Sequence, residues 1–113
     1  MKTTLQPILS IDIGGTKLLA ALVSPVGKVL TRHVEPTAAL DQYESVVRQI
    51  DAAAHRLQCS GTDGLPRPSA VSIAVAGAID VEQGMVTTSP NLPQWKNVPL
   101  RDRVREKLQI ETF

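Results

Sequence analysis

Cysteine, aromatic side chains and long apolar runs are all scarce in this sequence. Cys59 is the only cysteine of the 113 residues, which excludes a disulfide framework and a cysteine-based zinc cluster. A reducing, cytoplasmic location is therefore expected. The longest unbroken apolar run covers residues 18–23, far short of the roughly 20 residues that a membrane helix needs. No export signal and no membrane partner are predicted, because Pro7, Ser10 and Asp12 interrupt the apolar start of the chain.

An excess of one charge is lacking too. Aromatics make up 3% of the chain, namely Tyr43, Trp95 and Phe113, so the core must be aliphatic and base-stacking platforms are excluded. Twelve lysines and arginines nearly balance eleven aspartates and glutamates, giving a net charge of +1. No nucleic-acid partner is expected, because such proteins concentrate basic charge on one face. A length of 113 residues with 42% hydrophobic residues is typical of one globular domain.

The first third of the chain predicts three strands in an antiparallel meander. Residues 5–13 form an apolar strand that runs into a glycine doublet, residues 18–23 form a second, and residues 28–34 alternate as a third. Ser24-Pro25-Val26-Gly27 supplies a turn between the last two. Glu35-Pro36-Thr37 is expected to end the third strand, because proline cannot join a central ladder.

The middle of the chain predicts a β-α-β crossover. Residues 41–58 predict a helix with one apolar stripe, and Asp41 with Glu44 predicts a capping box at its start. Residues 70–76 are almost continuously apolar, which predicts a parallel strand buried on both faces. The fold class is therefore α/β, with a mixed sheet that combines the meander with one crossover.

The rest of the chain predicts loops, a short strand and a second helix. Residues 59–69 predict a surface loop, Met85 to Thr88 a strand, and residues 89–95 an ordered proline-rich loop anchored by Trp95. Pro99 occupies the first turn of the helix, where its missing N–H costs little. Three apolar side chains line its inner face: Leu100, Val104 and Leu108. Four basic side chains predict a solvated face: Arg101, Arg103, Arg105 and Lys107.

Residues 110–113 alternate like the opening of another strand that stops early. An unpaired strand edge invites association, so we expect this tetrapeptide to pair with another copy of the chain or to lie disordered. The abrupt end also suggests that the chain is part of a longer protein.

The segment Asp12-Ile13-Gly14-Gly15-Thr16-Lys17 predicts a phosphate-binding turn after the first strand. Glycines permit positive φ and let backbone N–H groups approach an anion, while Thr16 adds a hydroxyl and Lys17 a cation. Asp12 can hold Mg²⁺ through its water ligands, which would neutralise the phosphates. The spacing differs from the Walker P-loop, and the alternative is a Gly-Gly hairpin turn beside a solvated lysine.

Two further segments are candidates for binding a polar ligand. Gly77 and Ala78 follow the predicted parallel strand, and ligands of open α/β sheets collect at the carboxyl ends of strands. A plain strand-to-turn glycine explains this position equally well. Asn91 can both donate to and accept from sugar hydroxyls, although an asparagine in an ordinary turn is the simpler interpretation of that residue alone.

Taken in order, these segments resemble the ROK family of bacterial sugar kinases and sugar-responsive regulators. The resemblance rests on residues 11–18, residues 71–77, the run Ser89-Pro90-Asn91-Leu92-Pro93-Gln94-Trp95 and Val98-Pro99-Leu100. It covers nearly the whole chain. It implies an actin-like, ribonuclease H-like ATPase lobe at the amino-terminal end of a longer protein.

The resemblance also implies ligands and site residues. Asp12, Gly14, Gly15, Thr16 and Lys17 match the turn that meets ATP phosphates and Mg²⁺. Three positions match the sugar pocket: Gly77, Ala78 and Asn91. Where the family commonly has proline before the matched glycine, this chain has Ala76, which leaves that turn less fixed. A homodimer is implied for the complete protein.

Several family motifs are not found in this sequence. The aspartate that acts as catalytic base in the kinases would lie beyond Phe113, so no residue of this chain is assigned as the base. The Glu-x-Gly-His sugar motif and the cysteine-rich zinc motif also lie further along in the family, so zinc would belong only to the complete protein. We therefore expect the isolated chain to be inactive, since a positioned base alone is worth about 10²- to 10⁴-fold in rate.

The function that the resemblance implies is ATP-dependent phosphorylation of a hexose or N-acylhexosamine, of the glucose or N-acetylmannosamine type. The alternative is the ligand module of a sugar-sensing transcriptional regulator. Such regulators carry a helix-turn-helix before the phosphate turn, and we expect that the eleven residues before Asp12 are too few for one.

Overall fold

A five-stranded mixed sheet, two helices packed on it and a small three-stranded sheet make up the structure, a computed structural model that describes residues 6–39, 42–59 and 65–113. The elements follow one another as β1 (Ile8–Ile13), β2 (Lys17–Val23), β3 (Val29–Pro36), α1 (Tyr43–Gln58), β4 (Ala70–Val75), β5 (Ala78–Asp80), β6 (Met85–Thr88), β7 (Lys96–Val98), α2 (Leu100–Leu108) and β8 (Glu111–Thr112). In the described part of the chain, neither helix is long and apolar enough to cross a membrane.

The large sheet has the order β3-β2-β1-β4-β8, with β1 in its centre. β1 pairs antiparallel with β2 and parallel with β4, and β2 pairs antiparallel with β3. The predicted meander and crossover are both confirmed. Ile13 is opposite Leu18 on one side and Val75 on the other, so β1 and β4 end at the same edge of the sheet.

The aliphatic core lies between one face of this sheet and the two helices. Leu9, Ile11 and Ile13 of β1 are buried there, while Ser10 and Asp12 point away from the helices. The predicted apolar stripe of α1 is buried along its length: Val46, Val47, Ile50, Ala53, Ala54 and Leu57. The N-cap is Gln42, whose side chain makes no capping hydrogen bond. Asp41, the first residue of the predicted capping box, lies outside the described residues.

β3 ends within Glu35-Pro36-Thr37, as expected, and its last residue, Pro36, pairs with Lys17. Proline is tolerated there because β3 is an edge strand and a missing N–H costs nothing on the outer side. The expectation for β4 is wrong. β4 is buried on one face only: Val71 faces the core while Ser72 and Ala74 are exposed. Its apolar run reflects small and β-branched residues, not two covered faces.

The second, small sheet has the order β5-β6-β7 and contains the predicted β6. β5 and β7 are three residues long, and Asn97 in β7 has a φ of 52°, so neither has a pattern that periodicity detects. Pro99 is the N-cap of α2, one residue before the helix.

Residues 110–113 are ordered within the chain's own sheet. Glu111 and Thr112 pair with β4 in parallel, and Phe113 bonds in both directions, to Val71 O at 2.8 Å and from Ile73 N at 3.0 Å. The expectation that this tetrapeptide lies disordered is therefore wrong, because β4 offers it an edge within the same molecule. Pairing with another copy stays a prediction, since β8 is the edge strand of the sheet.

Candidate functional site

The candidate site lies where β1 and β4 end side by side. Directly after β1 comes the turn from Gly14 to Thr16, and directly after β4 come Ala76 and Gly77. The carboxyl ends of parallel strands are the usual ligand site of open α/β sheets. The topology thus brings two of the three predicted segments to one edge.

The turn after β1 is tightly closed. Gly14 N–H donates to the carbonyl of Lys17 at 2.9 Å, and a Cβ at Gly14 would lie 3.1 Å from that oxygen. In the described part of the chain, the N–H groups of Gly15 and Thr16 make no hydrogen bond. Two adjacent unused donors beside a lysine are the groups that the predicted phosphate-binding turn requires.

Neither Gly14 nor Gly15 has a positive φ, so that part of the expectation for the doublet is wrong, while the approach of their N–H groups to an anion stays a prediction. Gly15 is needed for a different reason. A Cβ there would lie 2.6 Å from Asn91 Cβ and 3.1 Å from Asn91 O. Asn91, predicted separately as a sugar-binding residue, is therefore in direct contact with the phosphate turn.

Asp12 and Lys17 both leave the sheet on the face that the helices do not cover. Asp12 pairs with Leu19 and with Ala74, and both Asp12 and Lys17 are exposed. Among the described residues neither side chain forms an ion pair. One carboxylate and one ammonium group thus flank the turn, free to meet a ligand.

Gly77 packs as closely against the segment that leads to Asn91. Its φ is +144°, and a Cβ there would overlap the carbonyl oxygen of Thr88 and lie 3.0 Å from Ser89 Cα. Ser89 is 7% exposed, and its hydroxyl donates to the carbonyl of Ala76 at 2.7 Å. This bond holds the turn at Ala76, the position where the resemblance implies a proline. Ala78 begins β5, opposite Thr88, with an exposed methyl group.

The loop that carries Asn91 is anchored in the core. Leu92 N–H donates to Ser89 O at 3.3 Å, which makes Pro90 and Asn91 the central residues of a β-turn. Leu92 and Trp95 are each 1% exposed, as expected of a loop anchored by Trp95. Asn91 is left exposed at the tip, on a rigid support. The sequence contains no signal for the contact between Gly15 and Asn91 or for the Ser89 bond, because both join distant segments.

The residues present fit Mg²⁺ held together with a phosphate ligand. Among the described residues no three His, Cys, Asp or Glu side chains cluster as a metal cage. Mg²⁺ usually keeps its waters and takes one or two carboxylates plus substrate phosphates. Asp12 beside the turn offers that single carboxylate, exposed enough to act through water.

A groove of about 390 Å³ opens between the two helices, away from the strand ends. Tyr43, Glu44, Arg103 and Glu106 are among the residues that line it. A hydrogen bond to Tyr43 and, second to it, a hydrogen bond to Glu106 raise the pKa of the Arg103 guanidinium above its ordinary value. The groove carries side chains of both charges, Glu44 and Glu106 beside Arg48, Arg103 and Lys107.

The fold and this arrangement of strand ends define the class: the chain is a lobe of the actin-like ATPase fold, with a mixed α/β sheet. The model of the ROK family matches residues 8–113. The chain belongs to the ROK family.

Known relatives are mainly sugar kinases. Glucokinase from Thermotoga maritima is 38% identical over 106 residues, covering 94% of this chain and 32% of the relative. The structure of a ROK family glucokinase from Streptomyces griseus, in complex with glucose and AMPPNP, matches with a TM-score of 0.79 and 29% identity over 94% of this chain and 31% of that chain. The structure of a ROK hexokinase from Thermus thermophilus matches with a TM-score of 0.84 and 26% identity, over 96% of this chain and 34% of that chain.

A regulator is also among the relatives. The xylose repressor of Caldicellulosiruptor bescii is 26% identical over 106 residues, covering 94% of this chain and 26% of the repressor. The chain thus spans about a third of the length of its glucokinase relatives and about a quarter of this repressor.

Proposed function

We propose that the chain is the amino-terminal lobe of an ATP-dependent hexose kinase, and that glucose is its substrate. The observation that carries this proposal is the contact of Gly15 with Asn91, where a Cβ would meet the asparagine at 2.6 Å. The turn at Gly15, which is suited to phosphate, thus lies directly beside Asn91, whose amide is suited to a sugar hydroxyl. The 38% identity with the Thermotoga maritima glucokinase favours glucose among the hexoses.

In this proposal the turn binds the phosphate groups of ATP. The N–H groups of Gly15 and Thr16 and the ammonium of Lys17 face the β- and γ-phosphates. Asp12 holds Mg²⁺ through its water ligands. Mg²⁺, when bound, offsets phosphate charge that would otherwise repel both the carboxylate and the incoming hydroxyl.

Asn91 and the backbone at Gly77 and Ala78 orient the sugar beside that turn. The sugar's C6 oxygen forms a bond to the γ-phosphorus while the bond from that phosphorus to the β-phosphate oxygen breaks, so ADP leaves. The hydroxyl proton goes to a base that this chain does not supply. Positioning is the main contribution of the lobe, because phosphoryl transfer depends largely on alignment and charge stabilisation.

The test is a coupled ADP-release assay on the complete protein with glucose, mannose, N-acetylglucosamine and N-acetylmannosamine. We expect glucose to give the highest kcat/KM, and Lys17→Met to raise the KM for ATP by about tenfold, since a charged hydrogen bond to phosphate is lost. Lys28→Met is the matched control and should leave both constants unchanged, because exposed Lys28 lies in the β2–β3 turn, at the other end of these strands. A higher kcat/KM with an N-acetylhexosamine would contradict the proposal that glucose is the substrate. The absence of ADP release with any hexose would contradict the proposal that the protein is a hexose kinase.

A regulator module is the second candidate, favoured by the 26% identity with the xylose repressor. An electrophoretic shift with sugar-operon DNA distinguishes it. A sugar-sensitive shift without hexose-dependent ADP release would establish the regulator instead of the kinase.

A further inference from the structure

One side chain of α1 makes three hydrogen bonds to residues 35–38, the end of β3 and the two residues after it. Gln49 Oε1 accepts from the N–H of Ala38 at 2.9 Å, and Gln49 Nε2 donates to Pro36 O at 2.8 Å and to Glu35 Oε2 at 3.2 Å. Both ends of the amide are used. No other side chain type of this length offers a donor and an acceptor together at its tip.

Residues 35–38, the segment that Gln49 holds, are hydrogen-bonded directly to the predicted phosphate turn. Thr37 N–H donates to the carbonyl of Thr16 at 3.0 Å, and Pro36 pairs with Lys17. Pro36 has no N–H, so Thr37 is the residue of this segment that donates to the turn. Its position is fixed from both sides, because Gln49 holds Pro36 O and Ala38 N.

The three hydrogen bonds of Gln49, called the Gln49 clasp below, therefore connect a rigid helix to the short turn after β1. α1 is a helix of 16 residues with a fully buried apolar stripe, whereas the turn has one internal hydrogen bond, from Gly14 to Lys17. The Thr16 carbonyl belongs to the peptide group next to those that carry the N–H groups of Gly15 and Thr16, so the bond from Thr37 restrains the turn at that end. A change at Gln49 would therefore reach the turn through two hydrogen-bonded steps.

We propose that Gln49 is a positioning residue for the phosphates of ATP, acting through residues 35–38 and Thr16 without touching the ligand. This inference rests on the proposed function of the turn. Misplacement of a binding group by a fraction of an ångström weakens the interactions that depend on its direction, and these are the hydrogen bonds to phosphate.

The test compares Gln49→Met with Arg48→Met in the complete protein. Gln49→Met keeps the chain length and removes all three bonds. Arg48→Met is the matched control, since Arg48 is exposed on the same helix and bonds only to Ser45 Oγ among the contacts described, at 3.0 Å. With the hexose that the wild type uses, we expect Gln49→Met to raise the KM for ATP by about tenfold, while kcat and the KM for hexose stay within about twofold.

A second variant keeps the acceptor and removes the donor. Gln49→Glu can still accept from the N–H of Ala38 but places a carboxylate oxygen against Pro36 O and Glu35 Oε2, so it should raise the KM for ATP at least as much as Gln49→Met. Equal KM values for ATP in Gln49→Met and Arg48→Met would overturn the inference. So would a fall in kcat with no change in KM, which a general loss of structure produces.

Amide hydrogen exchange separates this inference from the kinase proposal. The hydrogen-bonded N–H groups of Gly14 and Thr37 should exchange faster in Gln49→Met than in Arg48→Met, whether or not the wild type phosphorylates a sugar. If the wild type shows no ATP-dependent phosphorylation, the kinase proposal fails and the exchange result still decides the role of Gln49. Unchanged exchange at Gly14 and Thr37 would refute that role.

Discussion

At Gly15 a hydrogen atom stands where any other residue carries a carbon, and Asn91 fills the adjoining space. The nearest approach for an added Cβ is 2.6 Å, to Asn91 Cβ. Gly27 differs in both respects: its φ is +87°, and no atom lies within 4 Å of the Cβ position. The two glycines therefore have different physical reasons, space at one and backbone conformation at the other.

Replacement of Gly15 by alanine should move the Asn91 loop or the turn. We expect the free energy of unfolding to fall by about 1–3 kcal/mol, because the neighbour is a Cβ and a backbone oxygen, which do not rotate away. The KM for hexose should rise in the complete protein. Urea unfolding and the coupled assay measure the two effects.

Gly27→Ala is the matched control for Gly15→Ala. Its cost of about 1–2 kcal/mol comes from the left-handed backbone, and its KM for hexose should not change, since the β2–β3 turn is at the other end of the strands. Equal KM values for the two variants would show that Gly15 and Asn91 do not form one site.

The residue types of the site could be predicted from the sequence, but their contacts could not. Asp12 to Lys17 stand out because six consecutive residues combine a carboxylate, two glycines, a hydroxyl and an ammonium. The contact of Gly15 with Asn91 and the clasp of Gln49 join segments from different elements. Such contacts depend on how α1 and the 89–95 loop pack, which no local pattern encodes.

At the scale of elements, periodicity succeeded where one face is buried over several turns or strands. α1 is the best case, since six apolar side chains fall on one stripe. Periodicity failed for β4, because its apolar run indicated two buried faces where only one is buried. It also failed for β5 and β7, because three residues are too few to show a period. The end of β3 within Glu35-Pro36-Thr37 was predicted, whereas the pairing of Pro36 itself was not, because its edge position is a property of the sheet, not of the strand.

α2 and the β5–β6 hairpin are joined by Arg101, which the sequence predicted on a solvated face. Its guanidinium donates to Val81 O at 3.3 Å and to Glu82 O at 3.2 Å, and its N–H donates to Gly84 O at 3.2 Å. A Cβ at Gly84, whose φ is +65°, would lie 2.5 Å from Arg101 Cβ. The expectation for Arg101 was wrong, because the hairpin turn folds over it.

Arg101→Met should therefore loosen the hairpin, while Arg103→Met on the same helix should not. We expect Arg101→Met to lower the free energy of unfolding by about 1 kcal/mol, because two partly exposed hydrogen bonds to carbonyl groups are lost. Arg103 forms an exposed ion pair with Glu106 at 2.7 Å, and such pairs add little. Equal urea midpoints for the two variants would mean that the hydrogen bonds of Arg101 to the hairpin add nothing to the free energy of unfolding.

At the scale of the whole molecule, the helices cover one face of the large sheet and leave the site open on the other. Asp12 is the only carboxylate among the residues that we assign to the site, and we place it on the phosphate side. A hydroxyl held near Asn91 has no second carboxylate from these residues to take its proton. Water also has free access to the turn, which weakens electrostatic stabilisation.

The 113-residue chain by itself should accordingly bind phosphates without turning them over. With glucose, Mg²⁺ and ATP, we expect ADP release no faster than that of the Asp12→Ala variant, since a positioned base is worth about 10²- to 10⁴-fold and the alignment of the two substrates is also missing. Far-ultraviolet circular dichroism and a cooperative urea transition must first show that both chains are folded. Glucose-dependent ADP release above the Asp12→Ala level would contradict the expectation, because it would require this lobe to contain its own base and to hold both substrates in line.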